Sequence, residues 1–174
     1  DPEVEIDYTT KYPHLIMTPY PSHYIQPWTC KDGRQVILRP VKSDDELLEK
    51  NLFDNLSEIA IRYRFMHAVK DINHDMLARF CNIDYEREMA IIAEYNEGGE
   101  HRIVGIGTLS VPVGADSGEC AWVVAQDFEG VGLGLKLGDI IVGNAREKQL
   151  SSIYGTVLSE NTRALGLAKR LGCR

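Results

Sequence analysis

Glu119-Cys120-Ala121-Trp122-Val123-Val124, then Glu129-Gly130-Val131-Gly132-Leu133-Gly134, then an amphipathic run to Lys148: the reading of these stretches decides the fold. The first is short, apolar and rich in β-branched and aromatic residues, so it reads as a strand over 119–125. The last places Leu133, Leu137, Ile140, Ile141 and Ala145 on one stripe at helical spacing, which predicts a helix over 132–148. Between them, Gly130, Gly132 and Gly134 let the backbone come close to a ligand. Free N–H groups at a helix start, helped by the helix dipole, make an anion site. A pyrophosphate fits that description. A Walker loop would need Gly-Lys-Ser/Thr, which is absent. A dinucleotide fingerprint needs G-x-G-x-x-G and an acid after the next strand. The spacing here is G-x-G-x-G, and Leu158-Ser159-Glu160 is a partial match. A glycine-rich loop with no ligand is compatible with the same residues.

Outward from this core, Ile153–Leu158 reads as a buried strand, and a strand–helix–strand unit implies a parallel pair. Upstream, Glu88–Tyr95 and His101–Val111 read as strands joined by the turn 96–100. Gly105 and Gly107 within the second suggest a bulge or a close approach by another element. Lys31-Asp32-Gly33-Arg34 is a hairpin-type turn, followed by Gln35–Pro40 as the first core strand. Ser43 with Glu46 fits a capping box before Leu47, Leu48 and Leu52. Further helical stretches run over 57–64 and 73–82, and a last helix follows with Ser159 expected as its N-terminal cap and Gly172 as its C-terminal glycine. The fold class is therefore α/β (α+β): a mixed, mostly antiparallel central sheet flanked by helices.

Composition bounds the rest. Five of the seven prolines (Pro2, Pro13, Pro19, Pro21 and Pro27) fall in residues 1–34, which read as an extended arm or linker that Tyr8, Tyr12, Tyr20, Tyr24 and Trp28 can pin to a body. Residues 35–174 read as a single globular domain with a core of its own. The chain begins at Asp1, and the expectation is a segment of a longer polypeptide. A net charge of −7 argues against nucleic acid and suits cationic substrates. No apolar run is long enough to span a bilayer and no signal peptide is visible, so the expected setting is cytoplasmic, away from membranes. Cys30, Cys81, Cys120 and Cys173 form no C-x-x-C pair, and the histidines make no helical ligand pair, so no metal site is expected.

Glu129-x-x-Gly132-x-Gly134 resembles the Q/R-x-x-G-x-G/A pyrophosphate loop of the GNAT N-acetyltransferases, with Glu129 in the Gln/Arg place and Val131 where many members carry Arg, both departures removing positive charge near the phosphates. Glu160-Asn161 with Ala164, then Leu171-Gly172, resembles that family's last helix. Leu56-Ser57, Arg62-Tyr63-Arg64-Phe65, Asp84–Ala90 and Pro19-Tyr20-Pro21-Ser22 are similar to one subfamily. These are protein lysine acetyltransferases fused to an acyl-coenzyme A synthetase-like (NDP-forming) region. The resemblance implies acetyl-coenzyme A as co-substrate, held by Val131, Gly132, Leu133, Gly134 and Leu135, with Asn161 facing it and its pantetheine arm pairing with Trp122 and Val124. It implies a protein lysine as acceptor, with an acyl-coenzyme A synthetase as a candidate carrier of that lysine, and an upstream domain in the parent polypeptide.

Chemistry adds the need for a base. A lysine ammonium has a pKa of about 10.4, so only about one in a few thousand is neutral at pH 7. In the resembling subfamily a Glu at the start of this strand takes the proton, and Glu119 holds that position, expected in a partly dry site. The resemblance also implies a bulge in this strand that frees a backbone N–H near Val123 or Val124 for the oxyanion. No Tyr follows Asn161 as a general acid, so solvent is left to protonate the thiolate. Cys120 reads as a small buried strand residue. The roles of Arg62, Arg64 and His67 stay open between core anchoring and acceptor contact. A complete family fold has two further strands. Without them a sheet edge is expected to invite pairing or homodimerisation. Two other functions fit the same residues: acetylation of a small amine, or a non-catalytic acyl-coenzyme A-binding module.

Overall fold

Asp-Gly chemistry at residues 32–33 starts the sheet. In the computed structural model, which describes residues 18–174, this turn joins β1 (Gln26–Thr29) to β2 (Gln35–Pro40) as an antiparallel hairpin. Gly33 takes φ +90°. Its N–H donates to the Cys30 carbonyl at 2.9 Å, and the Cys30 N–H donates to Arg34 at 2.8 Å. Pro2, Tyr8, Tyr12 and Pro13 of the expected arm lie outside the described residues. The reading of 1–34 as an arm or linker needs correcting over its last part: β1 is a strand of the main sheet, and a boundary between 34 and 35 would cut the hairpin. Pro27 is tolerated because β1 is an edge strand, where a missing ladder donor costs little.

A 3-10 turn, Ser43–Asp45, leads into α1 (Glu46–Asp54). The expected Ser43–Glu46 capping box is replaced by Asp45. Its carboxylate accepts the Lys42 N–H at 2.7 Å and two bonds from the Arg39 guanidinium at 2.7 and 2.8 Å. Asp45 is 4% exposed, and a carboxylate that deep requires several donors. α2 (Glu58–Phe65) and α3 (His74–Cys81) follow. Ser57 and Asn73 cap them, accepting from the Ala60 and Met76 N–H groups at 3.1 and 3.0 Å. Phe53, Phe65 and Phe80, one from each helix, pack with ring centroids 5.7, 5.8 and 5.9 Å apart.

The expected meander is present as β3 (Glu88–Glu97), β4 (Glu100–Ser110) and β5 (Ser117–Val124). α4 (Leu133–Glu147) then crosses to β6 (Ser152–Tyr154), which pairs parallel to β5. The six strands lie in chain order across one sheet. α4 covers one face and α1–α3 the other. The glycines of β4 explain the close fit of α4. A Cβ on Gly105 would lie 3.0 Å from Leu137, and one on Gly107 would lie 3.3 Å from Ile141. The register also shifts at Ala93/Glu94, where β4 carries one extra residue. The strand expected over 153–158 ends at Tyr154, because the chain turns away at Gly155. There a Cβ would stand 3.0 Å from the Cys120 carbonyl oxygen. α5 (Thr162–Arg170) ends the chain in a Schellman motif: Gly172 at φ +87°, with the Cys173 N–H on Ala168 at 3.0 Å and the Gly172 N–H on Lys169 at 3.1 Å.

Candidate active site

β5 and β6 run together for three residue pairs, from Ser117↔Ser152 to Glu119↔Tyr154. β6 then ends while β5 continues to Val124. Among the described residues, the backbone groups of Ala121–Val124 that point toward β6 are thereby left without a strand partner. The register of β5 on β4 is continuous from Glu119↔Ser110 to Val124↔Gly105. The bulge expected in β5 is therefore absent, and the opening arises from the departure of β6. Glu119 stands at the point of divergence, exposed to solvent rather than in the partly dry surroundings expected. Glu119, Ala121 and Val123 share a face with their opposite partners Ser110, Thr108 and Ile106, the face that α1–α3 cover. Trp122 and Val124 are half-buried beside the opening.

At the other end of β5, a 3-10 turn (Gln126–Phe128) leads into the glycine loop. Gly130 and Gly132 take φ +75° and +90°, and Gly132 is the N-terminal residue from which α4 springs. The first amides of α4, from Leu133 onward, have no carbonyl one turn back; the Lys136 N–H is the one that reaches Gly132, at 3.1 Å. No acidic side chain sits in the first turn of α4 to compete for that end. Leu133 is fully buried and anchors the turn, while Val131, Gly132, Gly134 and Leu135 are half-buried. Val124 sits 3.8 Å from a Cβ placed on Gly134, so the strand end and the loop meet. These residues fit a diphosphate: close backbone approach, free N–H groups and a favourable dipole.

Glu129 ion-pairs with Arg163 at the start of α5, which offsets the negative charge the loop carries in place of a cation. Asn161 has a structural task that its sequence position did not reveal. Its side-chain oxygen accepts the Ala164 N–H at 3.1 Å and caps α5, the role expected of Ser159. A cavity of about 150 Å³ lined by Leu56, Ser57, Ala60, Val124, Gln126 and Glu129 joins the start of α2 to the end of β5 and the loop. Arg62 lies 3.4 Å from Glu160, tying α2 to the approach of α5, and His67 is exposed. The Cys120 thiol contacts the Tyr154 carbonyl at 3.3 Å, and burial pushes its pKa up to about 11, as suits a packing residue.

A second cavity of about 150 Å³ lies under α1–α3, beside Thr108 and Ser110. Its walls include Phe53, Phe80 and Ile106, and its charged groups are Glu49, Glu88, Arg64 and Arg79. Glu49 is 1% exposed, and its Oε2 has no hydrogen-bond partner among the described residues. Burial pushes its carboxyl up to about 7. Sequence reasoning missed Glu49, since an acid in an amphipathic helix reads as surface. It also missed the contact of the β1–β2 turn with the glycine loop, because only a turn was visible there.

This architecture, an antiparallel sheet whose last parallel pair splays beside a glycine loop at a helix start, defines an acyltransferase fold. The chain belongs to the GNAT acetyltransferase family: residues 35–174 match the family model for the acetyltransferase (GNAT) domain. It is an N-acetyltransferase of the kind that uses acetyl-coenzyme A as co-substrate. Acetyltransferase PA5475 of Pseudomonas aeruginosa is 29% identical over 150 residues, covering 86% of this chain and 80% of that protein. Among solved structures, the GNAT domain of S. lividans PAT superposes with a TM-score of 0.80 at 22% identity, over 88% of this chain and 90% of that one. A cAMP-binding acyltransferase from Mycobacterium smegmatis shares the fold with a TM-score of 0.59 at 19% identity, over 97% of this chain and 49% of its own.

Proposed function

We propose that the protein transfers the acetyl group of acetyl-coenzyme A to the side-chain amine of a protein lysine, with Glu119 as general base. The observation that carries this reading is the divergence of β6 from β5 at Glu119↔Tyr154, with the glycine loop at the far end of β5. A strand rises about 3.3 Å per residue, so Glu119 and Val124 stand roughly 16 Å apart along β5. The loop and the first turn of α4 hold the diphosphate, and the open edge Ala121–Val124 pairs with the pantetheine arm. The thioester then comes to rest near the carboxylate.

Glu119 takes one proton from the acceptor ammonium, directly or through a water. The neutral amine attacks the thioester carbonyl, forming the C–N bond. A β5 backbone N–H facing the opening stabilises the oxyanion. Collapse breaks the C–S bond, the nitrogen gives up its second proton to water to become the neutral amide, and the thiolate leaves and is protonated by solvent. The exposed position of Glu119 supports a macromolecular acceptor, which reaches its lysine in from outside. The cavity around Glu49 does not favour a polyamine, since Arg64 and Arg79 balance Glu49 and Glu88. An acyl-coenzyme A synthetase as acceptor, and an upstream domain preceding the hairpin, belong to the same proposal.

The test is a rate–pH profile of Glu119→Gln on a lysine substrate. We expect kcat to fall by about 10²- to 10⁴-fold with the KM for acetyl-coenzyme A unchanged. An unaltered rate and profile would remove Glu119 from the mechanism.

A further inference from the structure

The glycine loop lacks cations of its own, and the β1–β2 turn lies against it. The Lys31 N–H donates to the Val131 carbonyl at 3.0 Å. The Lys31 side chain runs along Gly132: a Cβ placed there would meet Lys31 Cε at 3.3 Å and Cγ at 3.6 Å, and Trp28 at 3.5 Å. The ammonium is one bond beyond Cε, so it stands at the mouth of the loop. The turn is held rigidly. The Arg34 guanidinium lies 3.6 Å over the ring of Phe128, which is fully buried, and donates to the Asp127 carbonyl at 2.7 Å. The two neighbouring carboxylates are already engaged, Asp32 by Arg34 and Asp127 by Arg102. Among the described residues, Lys31 thus stands as an exposed cation against Gly132.

We propose that Lys31 is a phosphate-binding residue of the acetyl-coenzyme A site, supplied by the β1–β2 hairpin in place of the loop cations that Glu129 and Val131 displace. The inference rests on the cofactor site proposed above. It concerns a residue outside the 35–174 segment that matches the family model. The physical reason is charge balance. Helix amides and dipole supply only partial positive charge, whereas the nucleotide end of the co-substrate carries several full negative charges. A lysine ammonium acts there as a point charge. The Asp127 and Phe128 contacts fix the hairpin before the ligand arrives, so little ordering is needed on binding.

The experiment compares wild type, Lys31→Met and Lys31→Arg with two donors: acetyl-coenzyme A, and S-acetyl-pantetheine, which lacks the nucleotide and its phosphates. Methionine keeps an apolar stem along Gly132 and removes the charge. We expect Lys31→Met to raise the KM for acetyl-coenzyme A about tenfold at low salt, with kcat unchanged. The KM for S-acetyl-pantetheine should not move, Lys31→Arg should remain close to wild type, and added salt should shrink the difference. Equal KM values for acetyl-coenzyme A in wild type and Lys31→Met would overturn the inference while leaving the proposed function intact. An equal loss with both donors would also overturn it, as the effect would then be on the fold. A wild-type protein that binds no acetyl-coenzyme A would overturn both.

Discussion

At the scale of single residues, the most informative side chain outside the catalytic strand is Glu49. It is 1% exposed with one oxygen unpartnered. Burial raises its carboxyl to about 7, with Asp45 and Glu46 adding to the rise while the Cys81 thiol and Arg64 oppose it. In the unfolded chain this carboxyl loses its proton near pH 4.5, whereas in the folded protein it holds it to about 7. The unfolded state therefore binds fewer protons between those values, and stability falls as pH rises across that window, then levels off. The shift corresponds to an upper bound of roughly 3 kcal/mol. Glu49→Gln should be no more stable than wild type at pH 4.5 and more stable by about 1 to 3 kcal/mol at pH 8. Urea unfolding at the two pH values checks this, and a difference independent of pH would show that Glu49 does not titrate in this window. Asp45 differs. Burial alone would raise its pKa, but the Arg39 bonds and the Lys42 N–H outweigh it and hold the carboxyl below its ordinary value. Its contribution is lost as pH falls, at the acid end of the range.

At the scale of elements, the contact of α5 with α4 turns on two glycines one helical turn apart. A Cβ on Gly138 would lie 2.5 Å from Leu171, and one on Gly134 would lie 3.3 Å from Leu167. A Cβ on Gly143, also in α4, would meet nothing within 4 Å among the described residues. Replacing helix-interior glycine by alanine gains about 1 kcal/mol of helix propensity. Overpacking costs about 1 to 3 kcal/mol. Gly143→Ala should therefore raise Tm by about 2–4 °C, while Gly138→Ala should gain nothing or lose a few degrees. Calorimetry of both variants decides, and equal rises would mean that Leu171 yields freely. The sequence made α4 legible through its apolar stripe. The meander was legible because its strands are long and bounded by glycine turns. β1 was not, because four residues containing a proline carry no usable alternation, and its strand state comes from pairing with β2. The glycine loop was legible at the start of α4. The cap made by Asn161 and the reach of Lys31 to Gly132 were not, because each depends on where the chain returns in space.

At the scale of the molecule, the proposed ligand would touch elements that otherwise meet only at their ends: the β1–β2 hairpin, the end of β5, the first turn of α4 and the start of α5. Two of these reach the loop directly, the hairpin through Lys31 and Trp28 against Val131 and Gly132, and α5 through the ion pair of Arg163 with Glu129. A ligand that binds only the native state stabilises it by mass action, about 2.7 kcal/mol at one hundred times Kd. For a chain of this size each kcal/mol raises Tm by about 2–4 °C, so saturating acetyl-coenzyme A should raise Tm by about 5–11 °C. The glycine loop controls that gain. Gly132 adopts φ +90°, and a side chain there would press on Lys31 and Trp28. Aspartate would also set a negative charge at the mouth of the anion site. Gly132→Asp should therefore abolish the acetyl-coenzyme A-dependent shift, whereas Glu119→Gln should retain it in full, because the carboxylate acts on the acceptor and not on the nucleotide. A thermal-shift titration of the three proteins separates the two ends of β5. A shift lost in both variants would mean that the strand responds as one unit and that binding and proton transfer are not divided along its length.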